Sequence, residues 1–214
     1  GSLQITPMDG LTSSGYEGGP FDPSSHDYTL HNSGGTTIDW TASKNEDWVG
    51  LSETSGTLNA GASTTVSVSI NANANMLTPN TYTDSVTFNN TTNGSGNTTR
   101  PVSLTVSPQP GDLAVTPLTG LTSTGVEGGP FDPSSETYTL NNTGGSSLDW
   151  TASGTASWVS LSQTSGTLNA GESTTVTVSI NTAAEALSLG TYEDAITFTD
   201  TTNEEQSTRE VDLT

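Results

Sequence analysis

The chain has no cysteine. It therefore has no disulfide, no thiolate metal ligand and no Cys nucleophile. Basic residues are nearly absent too. Lys44, Arg100 and Arg209 face 23 Asp and Glu, for a net charge of −20. Such a surface repels phosphate backbones and anionic lipid, so neither nucleic acid nor a membrane surface is an expected partner. Sulfated or uronic-acid glycans are disfavoured as well, unless a cation bridges. No apolar run approaches the length of a membrane span, about 18 residues or more. Aromatic residues make up only 6% and charged residues only 12%, so the bulk of the polarity comes from Thr, Ser and Asn. That bias suits extracellular β-domains better than cytosolic enzymes.

What the chain does contain, it contains twice. Leu3–Ser43 and Leu113–Ser153 are identical at 28 of 41 positions, at a constant offset of 110 residues. A period of this size is that of a domain rather than of a solenoid repeat. Each copy can bury roughly two thirds of the surface of its unfolded chain. We therefore expect two similar domains, over residues 3–106 and 112–214. Residues 107–111 (Ser-Pro-Gln-Pro-Gly) would be a short, stiff linker. Gly1-Ser2 reads as a cloning remnant and Thr214 falls inside a strand pattern, so a longer parent protein is expected.

Period-2 alternation marks the strands. Thr64–Ile70 reads TTVSVSI, and its counterpart reads TTVTVSI. Tyr82, Val86 and Phe88 share one face of another strand, as do Ile38, Trp40 and Ala42. Gly-containing turns separate these runs. Only Ala72–Leu77 and Ala183–Leu187 look helical, for two turns at most. Roughly seven short strands per copy predict an all-β fold, two tandem immunoglobulin-like antiparallel β-sandwiches.

Each copy also carries Phe-x-Pro, Tyr-x-Leu-x-Asn-x-Gly-Gly, Trp-Val-x-Leu-Ser and Ser-Gly-Thr-Leu-x-Ala-Gly. The most specific stretch is Trp48–Gly61, repeated at Trp158–Gly171. In these motifs the chain resembles the BACON-type module over nearly the whole of both copies. The resemblance implies an immunoglobulin-like sandwich, found beside carbohydrate-active enzymes and in bacterial and phage surface proteins. It also implies carbohydrate binding, with some members acting as spacers.

Sugar rings stack on exposed aromatic faces. Of the 13 aromatics, 12 pair across the repeat, and most sit at inward parity. Trp40 and Trp150 take the place of the buried central Trp. Trp48 and Trp158 follow polar loops near a sheet edge, which makes them the best paired candidates for a sugar platform. Tyr16 is the one unpaired ring, where copy two has Val126. Glu17 and Asp22, repeated as Glu127 and Asp132, flank Gly-Gly-Pro-Phe. They are candidates for Ca²⁺, which takes 6–8 oxygens, although no dedicated loop spacing is present. Asp84 and Asp194 share the parity of inward residues and are expected to bond backbone N–H groups near a rim. His26 and His31 are absent from copy two and point to opposite faces of an extended strand. No Gly-x-Ser-x-Gly occurs.

The first expectation is a non-catalytic spacer of a larger protein on a cell or virion surface, with no cofactor. The second is a module that targets an attached enzyme to a neutral polysaccharide. A third is a Ca²⁺-stiffened adhesin repeat.

Overall fold

The alternation of Val with Ser and Thr is realised as buried and outward positions. In Ser63–Ile70, Val66 and Val68 are fully buried and Thr65 faces out. A computed structural model describes residues 1–214 and divides them into two units, 1–108 and 109–214.

The first unit has ten strands: β1 Leu3–Thr6, β2 Leu11–Tyr16, β3 Phe21–Asp22, β4 Ser25–Asn32, β5 Ile38–Ser43, β6 Val49–Leu51, β7 Ser55–Leu58, β8 Ser63–Ile70, β9 Asn80–Asn90 and β10 Thr98–Ser107. One sheet has the order β1-β4-β8-β6 and the other β3-β2-β10-β9-β5-β7. The second unit repeats them as β11 Leu113–Thr116, β12 Leu121–Gly125, β13 Phe131–Asp132, β14 Ser135–Asn142, β15 Leu148–Ser153, β16 Val159–Leu161, β17 Ser165–Leu168, β18 Ser173–Ile180, β19 Tyr192–Asp200 and β20 Glu205–Leu213. Its sheet orders correspond strand for strand.

Each unit is a β-sandwich with its own core. In the first, Leu30 and Val66 from one sheet meet Trp40, Phe88 and Leu104 from the other. Trp40 explains a motif glycine. It lies opposite Gly56, and a Cβ there would come within 2.9 Å of the indole. Gly166 meets Trp150 in the same way.

Two details differ from the sequence reading. The segments expected to be helical are single 3₁₀ helices, Ala72–Met76 and Thr182–Ala186, each capped by an Asn side chain. The sandwiches are also not wholly antiparallel: β2 runs parallel to β10, and β12 to β20. The opening stretch crosses between sheets after β1 without reversing, so β2 keeps the sense of the closing strand beside it.

Of the stretch 107–111, Ser107 ends β10. The carbonyls of Gln109 and Pro110 accept hydrogen bonds from Ser146 and Gly145.

Candidate functional site

Trp48 and Trp158 do not form a sugar platform. They are only 4% and 6% exposed and belong to the two cores. The cause is local. The Asn71 amide N–H donates to the Trp48 carbonyl at 3.0 Å, and its side chain donates to the Asp47 carbonyl at 2.8 Å. Asn181 repeats this on Trp158 and Ser157.

Asp84 holds the loop from the other side, accepting from the backbone N–H groups of Asn45 and Glu46. Asp194 does the same for Thr155 and Ala156. Burial alone would raise these carboxyls. The hydrogen bonds from Glu46, Ser85 and Asn45 outweigh it and hold Asp84 below the ordinary value of 3.8. Asp194 is lowered in the same balance, with Thr155 and Ala156 among its donors. These acids brace the loop that turns each Trp inward, as the rim reading anticipated.

Tyr16 is 50% exposed and ends β2, and Val126 at the matching place is 65% exposed. The acidic loop turns immediately after them. Gly18 and Gly19 take φ of 86° and 76°, and the Gly19 N–H donates to the Tyr16 carbonyl. Glu17, Asp22, Glu127 and Asp132 are all exposed. No three acidic or histidine side chains gather as a metal cluster would require, so the Ca²⁺ candidates are not brought together.

At this end of the second unit lies a shallow cleft of about 40 Å³ lined by Val126, Phe131, Leu187, Leu189 and Tyr192. The Tyr192 hydroxyl donates to the Ser188 carbonyl at 2.9 Å, which fixes the ring at the rim. Tyr82 does the same with Thr78 in the first unit. Their inward parity hid them from the sequence reading, but both stand near the start of a strand, where an inward residue reaches the end of the sandwich. The cleft offers ring edges and apolar surface.

Two buried polar pairs also escaped the sequence reading. Asn32 and Asn142 are fully buried. Asn32 donates to the Thr36 and Leu58 carbonyls and accepts from the Ser2 and Gly34 N–H groups. Arg100 and Arg209 are 7% and 5% exposed. Arg100 donates to the carbonyls of Ile5, Pro7 and Thr99 and lies 6.0 Å from the Tyr28 ring centroid. The signal was present: two of only three Lys and Arg fall at nearly matching places. Their offset is 109 rather than 110, because the hairpin before Arg209 is one residue shorter.

The sequence pattern of the viral BACON domain matches residues 22–107 and 130–209. The chain belongs to the viral BACON domain family. The matched segments of both BACON domains begin after β2 and β12, yet those strands pair into the same sheets.

No curated protein sequence matches the chain significantly. Among solved structures, a Porphyromonas gingivalis protein of unknown function is 13% identical with TM-score 0.39, covering 100% of this chain and 99% of its own. The D0-D1 domain of intimin is 14% identical with TM-score 0.33, covering 98% of each chain. A Bacteroides ovatus GH5 xyloglucanase in complex with a heptasaccharide is 18% identical with TM-score 0.37, over 56% of this chain and 21% of its own. Likenesses this loose say nothing about ligand or activity.

Proposed function

We propose that the tandem is a non-catalytic spacer in a longer extracellular or virion-surface protein, holding apart the parts joined at its two ends. The observation that carries this reading is where the chain comes in and leaves. In the first BACON domain the Leu3 N–H donates to Ser95 beside the β9–β10 hairpin, whereas Ser107 accepts from Glu17 at the far end of β10. The second domain is built alike, with Gly111 held by Asn203 and Thr214 bonded to Ser123 and Gly125. Such a module adds its length to the path of the chain. Burial of the paired tryptophans leaves little ring surface to grip a ligand. A glycan array probed with the intact tandem tests the reading. No binding is expected, and saturable binding to a neutral polysaccharide would overturn it.

Carbohydrate binding is the second reading, favoured by the cleft around Tyr192 and by exposed Tyr16. Its test on the same array is Tyr16→Ala with Tyr192→Ala. Tyr16 stands at the surface but Tyr192 packs partly against the core, so a loss of binding counts only where the far-UV circular dichroism is unchanged. Trp48→Ala is the wrong probe, because it opens a core.

A further inference from the structure

We infer that the opening and closing segments of each BACON domain form a shear clamp, so that the fold resists tension applied through its termini. In the first domain the opening segment lies beside the closing strand, in one sense, over its whole length. The Leu3 N–H donates to the Ser95 carbonyl at 3.0 Å. Arg100 reaches from β10 to the carbonyls of Ile5 at 2.8 Å and Pro7 at 2.9 Å. Leu11–Tyr16 then pair in parallel with Val102–Ser107. The second domain repeats the arrangement. Asn203 holds the Gly111 carbonyl, Arg209 holds those of Val115 and Pro117, and Leu121–Ser123 pair with Val211–Leu213.

Tension on the termini draws the opening segment out of one end and the closing strand out of the other. The two must slide past each other along their length. The ladder bonds lie across that direction, so they are strained together instead of peeled one by one. The arginine adds a second tie. β1 and β10 belong to different sheets, and one guanidinium bridges them while also donating to Thr99 and Thr98 on its own strand. A planar fork suits this task, because it presents several donors in fixed directions where an ammonium would not. The guanidinium meets carbonyls rather than a carboxylate, and the position is kept in both copies despite the slip in register.

The clamp deepens the spacer reading and depends on it for its use in the parent protein. The test is single-molecule force spectroscopy on the whole chain. Because the chain has no cysteine, introduced thiols give unique handles. Pulling through the two termini is compared with pulling the first domain between its N-terminus and Ser95→Cys. That exposed position sits beside Leu3, so the load there peels. At equal load, peeling should unfold the first domain at least about tenfold faster, since forced unfolding reads the unfolding rate. Equal rates in the two geometries overturn the clamp, and this comparison needs no change to the arginine.

Under terminal load, Arg100→Gln should speed unfolding of one domain about tenfold or more. Leu58→Ala, on the far edge strand β7, should cost equilibrium stability yet change that rate less than about threefold. Rates that follow equilibrium stability alike in both variants overturn the assignment. Glycan binding would sink the spacer while leaving these rates untouched, so the two failures are separable.

Discussion

Asn32 ties together four stretches of backbone from inside the first domain, and Asn32→Ala removes all four ties. The Leu58 carbonyl is then left in buried surroundings, at a cost of about 1–3 kcal/mol. The Thr36 carbonyl and the Ser2 and Gly34 N–H groups are partly accessible to water and lose about 0.5–1 kcal/mol each. The total is about 2.5–6 kcal/mol, a large fraction of the roughly 5–15 kcal/mol that holds a domain folded. Calorimetry reads it with an internal control, because the second unit keeps Asn142. One transition should fall by at least roughly 10 °C, at about 4–8 °C per kcal/mol, while the other stays in place.

Asn32→Asp sharpens the test. A carboxylate accepts from Ser2 and Gly34 but faces the Thr36 and Leu58 carbonyls with no proton to donate. Its folded pKa is raised, so its deficit relative to the unsubstituted chain should shrink as pH falls and the acid regains a donor. A shift below about 5 °C for Asn32→Ala, or a shift of both transitions together, would refute the reasoning.

Three further outcomes are expected. Trp158→Ala should destabilise the second domain by about 3–5 kcal/mol, seen in urea unfolding, because it empties a core position. A cost under about 1 kcal/mol would show an exposed ring. Asp84 and Asp194 are depressed below 3.8, so their contribution is complete above that value and is lost as pH falls through the lower, folded value. The acid limb of the stability curve should therefore be shallower in an Asp84→Asn, Asp194→Asn chain than in the unsubstituted one, and matching limbs would contradict this. EDTA should leave both melting transitions where they are, since no acidic cluster assembles. A clear drop would restore the calcium reading.

The strands were legible because alternation is a local property. Val66, Val68 and Ile38 are buried as their parity requires. The Trp pairs were half legible. Trp40 sits in mid-strand, where parity decides, whereas Trp48 follows a loop whose direction is set by Asn71 and Asp84, partners 23 and 36 residues away. The parallel pairing of β2 with β10 was not legible, because it depends on which sheet the opening stretch crosses to. Asn32 carried a signal of its own: it stands in Asn-x-Gly-Gly in both copies, where its side chain meets the Gly34 N–H. The end cleft was hidden because Tyr192 has inward parity but stands at a strand end, where inward means the rim.

The scarcity of positive charge takes on meaning once the three cations are placed. Arg100 and Arg209 are spent inside the sandwiches on backbone carbonyls. Lys44 is spent on its own loop, donating to the Glu46 carbonyl at 2.9 Å and lying 3.7 Å from Asp47. No Lys or Arg is left to face outward alone, so the exterior carries most of the 23 acids almost unopposed. Like-charged surfaces of this kind keep neighbouring molecules apart and remain weakly adhesive towards anionic partners. Some differences between the copies fall outside the cores. Tyr16 faces Val126 across the repeat, His26 faces Glu136 and Lys44 faces Gly154, and none of the six is buried. Three polar ties, by contrast, are kept pairwise: Asn32 with Asn142, Asp84 with Asp194, Arg100 with Arg209. These shared polar ties are machinery for keeping each sandwich closed.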